Sequence, residues 1–103
     1  MEEKKKRWER TYHGQGWKWE ASYVDSDNRF SLNMELKTNT PCISFPVWNG
    51  MAQYEEFYWL EDEEYHLFLH DRDALWAFVR RCKKREMDDR LMYHPGSSRG
   101  WAN

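Results

Sequence analysis

Residues 17–37, WKWEASYVDSDNRFSLNMELK, decide the fold class of this chain. Phe30, Leu32, Met34 and Leu36 alternate with Arg29, Ser31, Asn33, Glu35 and Lys37. Period-2 alternation of apolar and polar residues marks a strand with one buried face. Trp17, Trp19, Ala21 and Tyr23 alternate in the same way with Lys18, Glu20 and Ser22. Between the two runs, Asp25-Ser26-Asp27-Asn28 is a turn by composition. The stretch therefore predicts an antiparallel hairpin.

Working outward, Thr38-Asn39-Thr40-Pro41 reads as the next turn and residues 42–48, CISFPVW, as a third strand. Pro46 cannot donate to a ladder, so that strand is expected to lie at an edge, stop early or bulge there. Asn49-Gly50 is a hairpin signal. Residues 53–60, QYEEFYWL, fit a strand or a helical face, and strand is the expectation. Glu61-Asp62-Glu63-Glu64 then reads as a loop leading to a further strand over residues 65–70, YHLFLH. Asp71 is placed to cap a helix whose apolar stripe is Leu75, Trp76, Val79 and Cys82. Met87 and Leu91 extend the pattern to about Met92, and Pro95-Gly96 ends it. The expected architecture is α+β: an antiparallel meander of about five strands, followed by one long C-terminal helix packed on one face. Residues 1–16 are expected as a charged N-terminal arm, 17–93 as the single domain, and 94–103 as a flexible tail.

The chain has 103 residues, enough for one core. A charged fraction of 33% would by itself suggest disorder, but 17% aromatics supply the apolar area a core needs. The formal charge of -2 lacks the basic excess of a dedicated duplex-DNA binder. Cys42 and Cys82 are too few for a disulfide framework and read as reduced core residues. Met1 to Arg10 is charged and has no apolar run, and no stretch is long enough to cross a membrane. A cytoplasmic protein is expected, acting in the host cytoplasm if virus-encoded.

No catalytic, metal or cofactor motif stands out. His66 and His70 on one strand would be about 13 Å apart, too far to share an ion; only a helical segment would bring an i, i+4 pair together. His13-Gly14-Gln15-Gly16 has no flanking strand or helix to make it a phosphate loop, and there is no G-x-S-x-G elbow.

Two binding readings remain. In the first, the chain is a non-enzymatic regulator or inhibitor of another protein, like phage-encoded inhibitors of host systems in composition. Glu55, Glu56, Glu61, Asp62, Glu63 and Glu64 would form an acidic hairpin facing a partner with a basic surface, with Trp48 and Trp59 as exposed anchors. In the second, Arg80, Arg81, Lys83, Lys84 and Arg85 touch phosphates while sheet aromatics stack unpaired bases. The element order over residues 17–84 is similar to that of Whirly and Pur-type single-strand binders; the likeness is one of element order and not of residue motifs. A homodimer through an exposed sheet edge is a further expectation.

Overall fold

The computed structural model describes residues 16–92 and 96–102. Most of the expected N-terminal arm, with His13 and His94, lies outside them. Strands β1 (Trp19–Asp25), β2 (Phe30–Glu35), β3 (Thr40–Trp48) and β4 (Gln53–Trp59) pair in chain order as an antiparallel meander. Helices α1 (Asp62–His70) and α2 (Arg72–Lys83) follow, then a short 3-10 turn at Asp88–Arg90. Among the described residues the sheet has four strands rather than about five, and two helices replace the expected long one.

The turns are set by local side chains. Asp25 accepts from the backbone N–H and the side-chain amide of Asn28. Asn49 Oδ1 accepts from the amides of Met51 and Ala52, which tightens the β3–β4 turn around Gly50 at φ 91°. Glu35 is fully buried and accepts from the amides of Lys18, Lys37 and Thr38 and from the Thr38 hydroxyl. One carboxylate thus ties the start of β1 to the β2–β3 turn.

One sheet face carries Phe30, Leu32, Ile43, Phe45, Val47 and Tyr58, and the helices pack on it through Phe68, Leu75, Phe78 and Val79. The other face carries a smaller cluster of Cys42, Trp59 and Met92 with Trp17, Trp19 and Phe57 against it. The register of β1 shifts between Ala21 and Tyr23, so Ser22 is an extra residue. Such a bulge reverses which face the following side chains occupy. Trp19 stacks on Phe57, whereas Tyr23 turns to the helix side beside Phe30 and beneath Arg72. The single aromatic face expected for residues 17–23 is thereby divided between two clusters. Pro46 lies beyond the part of β3 that pairs with β2, which ends at Ser44, so its missing N–H costs no ladder bond there.

Residues 65–70 are helix, not strand. Glu61 and Glu64 form a capping box, with Glu64 Oε1 accepting from the Glu61 amide at 2.8 Å. Asp62 and Glu63 complete an acidic first turn that suits the helix dipole. The acid run is therefore a helix start. Helix α2 begins as expected, with Asp71 accepting from the Ala74 amide, but it stops at Lys83. The Glu86 amide bonds the Arg81 carbonyl and the Arg85 amide bonds the Cys82 carbonyl. That pairing is a Schellman end with Arg85 at φ 64° in the left-handed position usually given to glycine.

Candidate binding surface

The left-handed turn at Arg85 aims its side chain at the C-terminal segment. Its guanidinium lies over the Trp101 ring, 3.3 Å from the centroid, and donates to the Gly100 carbonyl. Trp101 in turn forms a two-bond antiparallel bridge with Trp48, at 3.1 and 3.0 Å. Directly opposed residues of such a pair carry their side chains on the same side of the ladder. Gly100 passes so close to β3 that a Cβ there would overlap the Trp48 carbonyl and come within 2.7 Å of the Asn49 nitrogen. Only glycine permits this approach.

Arg99 is the anchor of the segment. It donates to Glu56 at 2.9 and 3.0 Å, to Asp88 at 2.7 and 3.0 Å, and to the Tyr58 hydroxyl at 3.2 Å. The Glu56 side chain is 5% exposed and also accepts from the hydroxyls of Tyr54 and Tyr58. Hydrogen bonds donated to Asp88 and Glu56 hold the Arg99 guanidinium firmly in its charged form. Burial, reinforced by the bond to Glu56, pushes the Tyr58 phenol up, so it remains a donor. Residues 96–102, expected from sequence as part of a flexible tail, thus carry a charged clamp and a bridge to β3.

The result is an apolar end to the molecule. Trp48 is 52% exposed, Met51 at the neighbouring hairpin tip 90%, and Trp101 62%. Among the described residues, the other large exposed apolar ones, Val24, Leu36 and Leu67, lie singly on β1, the β2–β3 turn and α1. Isolated residues of that kind are ordinary, whereas grouped ones mark contact surfaces.

Trp48 is thus exposed as expected, but Trp59 is not. Trp59 is 6% exposed, packed with Cys42 and Met92, and covered by the Arg90 guanidinium at 4.3 Å. The acidic residues do not form one exposed hairpin. Glu56 is clamped by Arg99, and Glu64 makes a bidentate pair with Arg90. Glu61 caps α1, Asp62 is half-buried beside it, and Glu63 and Glu55 are exposed on different elements. A partner with a basic surface loses its stated basis here, because most of these acids are used internally.

The basic residues are more available. Arg80, Arg81 and Lys84 are exposed at the end of α2, and Arg81 pairs loosely with Glu86 at 3.5 Å. Lys83 reaches back to the Asn28 carbonyl at 2.7 Å. Of these cations Arg85 is the one that meets Trp101, whereas Arg80 and Lys83 lie over the Trp76 ring. Sequence reasoning missed Met51, Arg99 and Trp101 as site residues and offered Arg85 only as a phosphate contact. The Trp-Asn-Gly-Met tip was the one local signal for Met51.

Both cysteines are buried, and burial pushes their thiols up, so neither favours the thiolate a nucleophile needs. Among the described residues, no three His, Cys, Asp or Glu side chains converge as a metal site. No helix among them is long and apolar enough to cross a membrane. Comparison with known protein families, with curated proteins and with solved structures returned no match.

Proposed function

We propose that this chain is a non-catalytic regulator or inhibitor that docks onto another protein through Trp48, Met51 and Trp101. The observation that carries this reading is the backbone bridge that sets exposed Trp48 opposite exposed Trp101, with exposed Met51 at the adjoining hairpin tip. Tryptophan, methionine and arginine are enriched at interface cores, and rigid anchors lose little entropy on binding. Arg85, already stacked on Trp101, supplies the cation next to them. Because that cation borders the indoles, the complementary partner offers an apolar pocket edged by a carboxylate. That is the opposite sign from the partner expected on sequence alone.

The test is capture from host lysate by the wild-type chain and by a Trp48→Ala/Trp101→Ala double variant of matched stability. A protein retained stoichiometrically by the first and lost by the second supports the reading. Equal retention by both excludes this surface.

A second reading is single-stranded nucleic-acid binding. It rests on the exposed cations Arg80, Arg81 and Lys84 at the end of α2 and on Arg85 stacked on the exposed Trp101 indole. A salt titration with a labelled single-stranded oligonucleotide separates the two. Micromolar binding that weakens steeply with salt favours nucleic acid. No binding alongside retention of a protein favours the regulator.

A further inference from the structure

We infer that His66 and His70 form a two-histidine chelate on α1 for a divalent transition-metal ion such as Zn2+, Ni2+ or Cu2+. Because residues 62–70 are helical, these histidines stand one turn apart, and both are exposed. In a helix, i and i+4 side chains share a face with Cβ atoms about 5–6 Å apart. That spacing allows two imidazole nitrogens to reach one ion at about 2.0–2.1 Å each.

A second observation concerns the ring of His70. Its Nδ1 lies 2.9 Å from the His66 carbonyl oxygen, which can only accept. Nδ1 therefore carries the proton, and the lone pair of the neutral ring sits on the outward Nε2. Metal-binding histidines commonly have this arrangement: one ring nitrogen donates to a carbonyl, which sets the tautomer, and the other ligates. The His66 ring packs edge-on against Tyr65, with centroids 5.7 Å apart.

No third His, Cys, Asp or Glu among the described residues completes the set. The remaining coordination positions are open to water or to a donor from another molecule. Imidazole donors without thiolate suit Zn2+, Ni2+ and Cu2+, with Cu2+ held most tightly. Mg2+ and Ca2+, which take oxygen ligands, are not expected to bind.

The experiment is calorimetric titration of the full chain with Ni2+ and Zn2+, repeated on His66→Ala, His70→Ala and a His13→Ala/His94→Ala control. Both single variants change exposed residues, and circular dichroism verifies that they fold. The expected result is one metal per chain in the wild type and in the control, with each single variant weakened by about tenfold or more. Three outcomes overturn the inference: no binding by the folded wild-type chain, equal binding by the single variants, or loss of binding only in the control. Amide broadening by Ni2+ centred anywhere other than α1 also overturns it.

Discussion

Replacing Arg99 with alanine tests how the apolar end is built. The Arg99 side chain is 15% exposed and holds a Glu56 carboxylate that is 5% exposed. Removing one partner of a buried pair leaves an uncompensated charge, at a cost of about 3–5 kcal/mol. Asp88 is 41% exposed, so its share is screened and adds little. The hydroxyls of Tyr54 and Tyr58 still donate to Glu56 in the variant, which places the expected loss near the lower bound. Against a total stability of about 5–15 kcal/mol, that is a large fraction. With a urea m-value of about 1–3 kcal/mol/M, the unfolding midpoint falls by about 1 M or more. Arg81→Ala, which breaks the exposed pair with Glu86, is the internal reference, and its effect is about 0–1 kcal/mol. Adding Glu56→Gln to Arg99→Ala removes the stranded charge and restores part of the loss. If Arg99→Ala costs no more than Arg81→Ala, the clamp is not what holds residues 96–102 in place.

Trp59→Ala should cost about 3–5 kcal/mol in urea denaturation, while Trp48→Ala should cost less than about 1 kcal/mol; equal costs would place both rings in the same environment. Gly100→Ala forces the segment off β3, so the Trp48 and Trp101 amides should lose protection in hydrogen exchange, and unchanged protection would contradict the close approach. Burial pushes the Glu35 carboxyl up, but its bonds from Thr38, Lys18 and Lys37 outweigh this and hold it below the usual range. A carboxyl depressed in the folded state contributes stability above its unfolded pKa of about 4.3, and that contribution fades as pH falls through the folded value. Glu35→Gln should therefore lower stability at pH 7 and flatten the acid limb of the stability profile; an unchanged acid limb would remove Glu35 from the account.

The sheet was readable because β2 and its neighbours have a single strong period. Phe30 and Leu32 alternate with polar residues and both join the main core, with Leu32 opposite Ile43 of β3. The bulge at Ser22 leaves no local trace, since an extra residue is defined only by the partner strand. Helix α1 was read as a strand because Tyr65 to His70 fits period 2 over six residues as well as a helical face through Tyr65, Phe68 and Leu69. The capping function of Glu61 and Glu64 was the available counter-signal, but it resembles a solvated loop. The end of α2 was missed because arginine, not glycine, occupies the left-handed position. Arg99 and Trp101 were not legible because their partners, Glu56 and Trp48, are 43 and 53 positions away in the chain, and nothing local announces such pairs.

The central claim is that the end formed by Trp48, Met51 and Trp101 is the docking surface. The most direct test places a photo-crosslinking amino acid at Met51, which is 90% exposed and whose side chain packs against little of the fold. The same probe at Glu20, exposed on β1, is the control. The account predicts one discrete partner protein crosslinked from position 51 and none from position 20, with a yield that falls when Trp101→Ala weakens binding about thirtyfold. Equal crosslinking from both positions, or a product that survives Trp101→Ala undiminished, would contradict it.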